Sequence, residues 1–464
     1  MKTVRRIFAV ICIMLISVLS TSCSLVSTDP ETLIKSPSPT GELADVLKAF
    51  SKYAGSDYSL VFPISGDYTS AYVMNDIDAD GQNEAFVFYK LKKENYILHV
   101  NLLKKEKNKW KSVADYSTSG TDIDKVIFSN LTGTQKKSLI IGLINSVDSS
   151  HTVEVLAYNN GYIECHMQNA YVDFACSEMD NDGREEIVVL CDEYNDNLAV
   201  KRIAIMCNFN SDNTLVRDEL YSTEIDKNAS DYHYSGAGSV EYAAASVSGS
   251  EVTDSKSVEV RTANALYFDA LKNEEYITEI IYFNESTKSL VAPMYDIKTG
   301  SNNLTLRKYG KISKDINGDG SIEIPNDFAL AGSRMDETAY YVTQWMKLYS
   351  DNSFMDVMTV YTDNENKFSM TFPNSWIDDN NITVTHYNNT VTFSLWDISA
   401  NRKGVDLLEI RMVSQQSWDT SSITSSQYIR LGTKYGKIYL ARILETENKY
   451  SISEEQLVNG FKLK

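Results

Sequence analysis

The sequence predicts a mainly β protein, a six- or seven-bladed β-propeller followed by a small α+β domain. One observation is an acidic pattern, DxDxDGxxE, that stands directly before an apolar run and recurs along the chain. The spacing of its copies is close to 50 residues or a multiple of it, the length of one four-stranded propeller blade. Near residue 360 this texture stops and an aromatic-rich pattern takes over.

Taken in order, Lys2, Arg5 and Arg6 precede an apolar stretch at 7–19 and the small residues Ser20, Thr21 and Ser22, which lead to Cys23. This is the layout of a signal peptide, 1–22. The apolar stretch falls short of the roughly 20 residues a membrane-spanning helix needs. The segment resembles the lipobox of bacterial lipoproteins, with Leu19 four residues before the cysteine. That resemblance implies that Cys23 is acylated and becomes the new N-terminus. The lipid bilayer is then a partner, and the chain sits on the outer face of the cytoplasmic membrane. Two acyl chains on one residue give stable anchoring where a single chain binds reversibly. Residues 23–41 include Ser36, Pro37, Ser38 and Pro39 and lack apolar periodicity. They read as a tether that buries too little to offset the entropy of ordering it.

At 464 residues the chain is expected to form two folded domains, 42–355 and 360–464. Loss of Lys2, Arg5 and Arg6 takes the formal charge from −19 to −22. Such a surface repels nucleic acid and favours divalent metals or basic partners. Cys165, Cys176, Cys191 and Cys207 form no CxxC pair; an exported location permits two bridges among them, but they sit in apolar stretches, which favours buried free thiols.

The repeat reads Asp76, Asp78, Asp80, Gly81 and Glu84, then Glu178, Asp180, Asp182, Gly183 and Glu186, then Asp315, Asn317, Asp319, Gly320 and Glu323. An eroded copy without acids runs from Asn130 through Leu131, Thr132, Gly133 and Thr134 into the apolar run 138–143. The steps from 76 to 130 and from 130 to 178 are 54 and 48 residues, and the step from 178 to 315 is 137, close to three of them. A degenerate copy is expected between Asp269 and Glu279. Between the loops, 153–158 and 162–167 flank Asn160 and Gly161, a hairpin signal.

Oxygen ligands at alternate positions converge on a hard cation when the chain curls, and glycine at the sixth position permits that curl. The expected side-chain ligands of Ca²⁺ are therefore Asp76, Asp78, Asp80 and Glu84; Glu178, Asp180, Asp182 and Glu186; and Asp315, Asn317, Asp319 and Glu323. Backbone carbonyls of Gln82, Arg184 and Ser321 complete the sets, giving two or three structural sites. An EF-hand needs a carboxylate at the twelfth position, where these loops carry Val87, Val189 and Asn326. Residues 50–350 instead resemble FG-GAP or VCBS repeats, the blade units of integrin-α-like propellers, although the Phe-Gly and Gly-Ala-Pro signatures are mostly absent. The resemblance implies loops that bind calcium structurally within a blade.

In the C-terminal part, Phe368, Met370, Phe372, Pro373 and Trp376 are followed by expected strands at 382–387, 391–396, 407–413 and 437–443. Ser453 to Gln456 form a capping-box start for a short helix. Phe368 to Trp376 resembles the opening of PsbP-like α+β domains found in clostridial lipoproteins. Trp376 and Trp396 are expected to pack in the core or at an edge.

His99, His151, His166, His233 and His386 have no metal-ligand spacing, and HExxH and GxSxG are missing. The chain is therefore expected to be a non-enzymatic binding or scaffolding module for a protein or glycan. The alternatives are a cell-envelope or glycan-directed hydrolase or lyase, using carboxylates that face across a pocket, and an assembly factor for exported proteins.

Overall fold

In the computed structural model the described residues are 41–94, 97–195, 198–210, 212, 214–216, 221–244, 259–308, 310–332, 340–377, 381–420 and 428–464. Cys23, the signal peptide and the tether lie outside them. The chain divides into a smaller unit (to Val61, Ala71–Asn75 and Gln82–Thr118) and a larger one (Phe62–Ser70, Asp76–Gly81 and Ser119–Lys464).

The smaller unit opens with a helix that the sequence reading placed within the propeller, α1 (Glu42–Ala54). Val46 and Phe50, one turn apart, are its buried residues. Phe50 meets the rings of Tyr58 and Tyr89 edge-on, each at 4.8 Å. The helix stops at Gly55, whose φ of 78° is left-handed and whose N–H donates to Ser51 O at 3.0 Å. Its sheet holds β1 (Tyr58–Leu60), β2 (Tyr72–Asn75), β3 (Glu84–Leu91), β4 (Leu98–Glu106) and β5 (Lys109–Ser117), in the order β1-β3-β4-β5. β2 shares with β1 the outer edge of β3. The first six residues of β3 are all buried, so its sequence reads as a continuous apolar run after Glu84.

The larger unit continues with antiparallel sheets in sequence order. The first holds β6 (Asp122–Ser129), β7 (Ser138–Ile144), β8 (His151–Asn159) and β9 (Tyr162–Ala170). The next holds β10 (Asp173–Ser177), β11 (Glu186–Asn195), β12 (Leu198–Phe209), β13 (Leu215–Val216) and β14 (Ser222–Ile225), and the third holds β15 (Ser230–Ala244), β16 (Glu259–Lys272), β17 (Glu275–Asn284), β18 (Ser289–Val291) and β19 (Arg307–Lys308). The expected hairpin joins β8 to β9: Asn159 pairs with Tyr162, and Asn160 and Gly161 take φ of 48° and 96° as a two-residue primed turn requires. The copy expected between Asp269 and Glu279 is not a loop of this kind. Those residues lie on paired strands β16 and β17, because their acids are buried in a polar core instead of curling around solvent.

The chain then forms β20 (Ile324–Ala329), β21 (Tyr341–Leu348), β22 (Phe354–Asp363), β23 (Phe368–Thr371), α2 (Asn374–Ile377), β24 (Ile382–Tyr387), β25 (Thr390–Asp397), β26 (Arg402–Ser414), α3 (Gln415–Thr420), β27 (Ile429–Lys434), β28 (Lys437–Ile443), α4 (Glu454–Gly460) and β29 (Phe461–Leu463). One sheet runs β20-β21-β22-β23-β29 and the other β24-β25-β26-β28-β27. The first of these spans the boundary expected at 355–360. A core that includes Tyr361, Phe368, Trp376, Phe393 and Leu457 joins both sheets. Trp376 is buried, with Nε1 donating to Tyr450 O at 2.7 Å. The capping box is present: Gln456 N–H donates to Ser453 Oγ at 3.1 Å and Ser453 N–H to Gln456 Oε1 at 3.0 Å. The burial expected of the cysteines holds for Cys191 and Cys207, whereas Cys165 is exposed on β9. Among the described residues, no helix is long and apolar enough to cross a membrane.

Candidate functional site

The four repeat loops share one backbone frame. Each is closed by a strand pair nine residues apart: Asn75 with Glu84, Ser129 with Ser138, Ser177 with Glu186, and Lys314 with Glu323. Positive φ falls on the fourth and sixth loop residues every time, at Ala79 (60°) and Gly81 (83°), Gly133 (68°) and Gln135 (64°), Asn181 (59°) and Gly183 (86°), and Gly318 and Gly320 (both 82°). The second loop residue is apolar. Ile77, Leu131 and Met179 are buried and Ile316 is half-buried, so each loop is pinned by a plug as well as by its closing pair. Sequence reasoning passed over this plug, although its position was visible in all four copies. The Glu at the ninth position is the first residue of the returning strand at Glu84 and Glu186, and at Glu323 it forms a bridge to Lys314 directly before β20, so it is not a residue of the curl. Val87 and Val189, at the twelfth position, are buried strand residues, which removes any EF-hand geometry.

The loop 178–185 has the strongest acid convergence within one unit. Carboxylate oxygens of Glu178, Asp180, Asp182 and Glu186 lie within 4.8 Å of one another. Glu186 is buried, and its Oε2 accepts the N–H of Met179 at 2.8 Å. Burial, with the charges of Asp180, Glu178 and Asp182 added, pushes its carboxyl up to about 8 against that hydrogen bond. Burial and then Asp182 raise Asp180 as well. Asp182 is held below its ordinary range by Arg184, whose Nε donates to it at 2.7 Å. Arg184 Nη1 also donates to Phe209 O at 3.0 Å.

In the loop 315–322, Asp315 accepts the N–H groups of Gly318 (2.6 Å), Asp319 (3.3 Å) and Gly320 (3.0 Å), which hold its carboxyl low. Asn317 Oδ1 accepts from Asp319 N at 2.9 Å, and Asp319 accepts from Ser321 N at 2.8 Å. Glu323 is fully buried. Its Oε2 accepts the N–H of Ile316 at 3.0 Å, while Oε1 has no hydrogen-bond partner among the described residues and burial raises the carboxyl. A buried carboxylate oxygen left unpaired is costly, and a cation in the loop would satisfy it. Of the first loop, Asp76, Asp78 and Asp80 belong to the larger unit, where Asp76 accepts from Asp80 N (3.2 Å) and Gly81 N (3.0 Å). Gln82 and Glu84 belong to the smaller unit, where buried Glu84 lies 3.3 Å from Lys104 Nζ. The eroded loop uses hydroxyls: Thr132 and Thr134 bond at 2.8 Å, and Glu185 accepts from Ser129 Oγ (2.7 Å) and Asn130 N (3.0 Å).

A second acid site carries its own cation. Lys272 Nζ is buried and donates to Asp226 Oδ2 (2.8 Å), Asn302 O (2.9 Å), Asn303 Oδ1 (2.8 Å) and Ser301 Oγ. Asp226 also accepts from Asn302 N at 2.9 Å and Asn228 N at 2.9 Å. Burial pushes its carboxyl up, but Lys272 and these donors outweigh it and hold it below the ordinary range. Glu279 accepts the N–H of Asp226 at 3.0 Å, and burial lifts it to about 7. Single charged residues inside apolar strands gave this cluster no sequence signature.

The larger unit also contains a cavity of about 960 Å³. Asp124 and Asp173 lie in its wall as fixed acceptors. Asp124 receives Ser65 Oγ at 2.9 Å and Tyr171 OH at 2.8 Å, and Asp173 receives Lys125 Nζ, Phe174 N at 2.7 Å and Tyr234 N at 2.6 Å. Asp67, Asp231, His151, His233, Tyr194 and Tyr234 also line it. Burial raises the Tyr234 hydroxyl to about 12, so it is a neutral donor.

No family model matches this sequence, and no curated protein matches it. Solved structures that it resembles include a protein from Lactobacillus plantarum (7% identity, TM-score 0.28, 74% of this chain and 84% of that one). The Dos1 propeller matches at 10% identity and TM-score 0.26, over 83% of this chain and 84% of that one. The exotype rhamnogalacturonan lyase YesX matches at 8% identity and TM-score 0.28, over 84% of this chain and 64% of that one. Likenesses this weak establish neither a fold nor an activity for the chain.

Proposed function

We propose that the chain is a lipid-anchored, extracytoplasmic binding or scaffolding module without enzymatic activity, whose repeat loops hold structural calcium. The observation that carries the calcium reading is the convergence of Glu178, Asp180, Asp182 and Glu186 within 4.8 Å. Four carboxyl groups at that range cannot all ionise cheaply without a cation, and Glu186 is pushed up to about 8 by burial and its acidic neighbours. Ca²⁺ takes six to eight oxygens and suits such a flexible cage better than Mg²⁺ does. These four side chains and the Arg184 carbonyl are its ligands in the loop 178–185; Asp315, Asn317, Asp319, Glu323 and the Ser321 carbonyl form another set. The ion neutralises the cage and staples the hairpin.

The four successive four- and five-stranded antiparallel sheets of β1–β19 support a blade reading of that part of the chain, and the two sheets around Trp376 support the C-terminal α+β domain. The basic, apolar and small-residue succession ending at Cys23 supports acylation with palmitate-type chains and anchoring on the outer face of a Gram-positive membrane. Antiparallel sheets that present many connecting loops suit binding of a protein or glycan. Calcium titration of the intact chain, with mass spectrometry of its N-terminal peptide, tests both parts. Two or three bound ions and a diacylglyceryl mass on Cys23 are expected; no bound calcium overturns the loop reading, and an unmodified Cys23 overturns the anchor.

A further inference from the structure

Charge and shape in the larger unit's cavity narrow the ligand. At about 960 Å³ it lies at the upper end of ligand sites, which run from roughly 300 to 1,000 Å³. Asp67, Asp124, Asp173 and Asp231 line it against one lysine, Lys125, whose ammonium is already taken up by Asp173 and by Phe174 O at 2.8 Å. An acidic ligand is therefore repelled. Asp124 and Asp173 are each held by several donors, so the carboxylates with most capacity for new hydrogen bonds are Asp67 and Asp231, both exposed, although Asp231 Oδ2 accepts Ser230 Oγ at 3.3 Å. Paired carboxylate oxygens accept vicinal hydroxyls or an ammonium well. Tyr194 is 64% exposed, and Tyr234 is half-buried with its ring tilted against Phe268 at 5.6 Å. Such rings offer flat apolar faces with a polar tip.

We infer that this cavity binds a short oligosaccharide free of acid groups, neutral or amino-bearing, its C–H faces on Tyr194 and Tyr234 and its hydroxyls or ammonium groups on Asp67 and Asp231. His151 and His233 at the wall supply further ring contacts or donors. The inference rests on the binding-module reading and names the ligand class of that module.

Calorimetric titration of the intact, calcium-loaded chain with an N-acetylglucosamine tetramer, a glucosamine tetramer and tetragalacturonate tests it. Either of the first two is expected to bind with Kd of about 0.01–1 mM, and tetragalacturonate much more weakly. Tyr194→Ala and Asp231→Asn, both at exposed positions, are each expected to weaken binding about tenfold at unchanged melting temperature. Absence of binding by both non-acidic sugars, equal binding of tetragalacturonate, or unaltered affinity in the double variant overturns the inference. Chromatography of the titrated sugars separates the two readings. Cleavage that the double variant abolishes leaves the cavity assignment standing and overturns the non-enzymatic function.

Discussion

Two acid sites of the larger unit meet the same electrostatic problem differently. In the loop 178–185, four carboxylates converge around a point that the chain leaves open, apart from Arg184 drawing Asp182 aside. Around Asp226 the chain fills the corresponding point with the ammonium of Lys272, held by four oxygens from Asp226, Ser301, Asn302 and Asn303. A tethered cation stabilises whatever the solution contains, whereas a soluble one makes stability depend on its concentration. On the calcium reading, the stability contributed by the 178–186 cage would follow the cation in solution, whereas that contributed by the Lys272 cluster would not.

The largest expected effect comes from removing the tethered cation. Lys272→Met leaves buried Asp226 unpaired and should cost about 3–5 kcal/mol, as breaking a buried pair generally does. Chemical denaturation should show this loss equally with calcium and with EDTA. A loss that calcium reverses would mean that the two sites are not different in kind.

Chelation comes next. An ion held at a hundred times its Kd contributes about 2.7 kcal/mol per site, which is a fall of roughly 5–10 °C in melting temperature on adding EDTA. Asp180→Asn combined with Asp182→Asn should bind one ion fewer and lose part of that EDTA response. If calorimetry finds the same stoichiometry in the variant, the cage is not a site.

Both sites hold a buried glutamate raised by burial, Glu186 and Glu279, and the Lys272 cluster adds a depressed aspartate. Glu279 is lifted to about 7 by burial, above the roughly 4.3 of an unfolded Glu. The folded state thus holds the proton more tightly, and stability falls as pH rises from about 4.3 to 7, then levels. Asp226 is depressed, so its contribution is present above about 3.9 and is lost as pH falls through its lower folded value. Glu279→Gln should lessen the fall in melting temperature between pH 5 and 7 while leaving the acid limb and the share that Glu186, pushed up to about 8, contributes, and a melting series across pH checks it.

What could be read in advance follows the same division. The acids of the loops, the Asn160-Gly161 turn, the strands from Ile382 onward and the capping box at Ser453 are local signals whose partners lie within a few residues, and the structure contains them. Helix α1 was legible too, since Val46 and Phe50 stand four apart, but the expectation of blades absorbed it. The Lys272 cluster, the cavity and β29 pairing with β23 join residues tens of positions apart, and no local period announces them. The ninth-position Glu was legible as a residue and not as a role. Only the closing pair shows that it lies beneath the loop.

The smallest effect concerns the loop frame itself. Gln135 takes the left-handed φ of 64° that Gly81, Gly183 and Gly320 take at the same position, a conformation that costs a side-chain-bearing residue about 1 kcal/mol or more. Gln135→Gly removes that strain but adds freedom to the unfolded chain, worth about 0.4–1 kcal/mol in the other direction. The net should be a rise in melting temperature of no more than about 2 °C, identical with and without EDTA, because this loop keeps the backbone of the cages and none of their carboxylates. A rise that appears only with calcium present would mean that the acid-free loop still gathers a cation through its carbonyls, and that the frame, not the acids, makes the site.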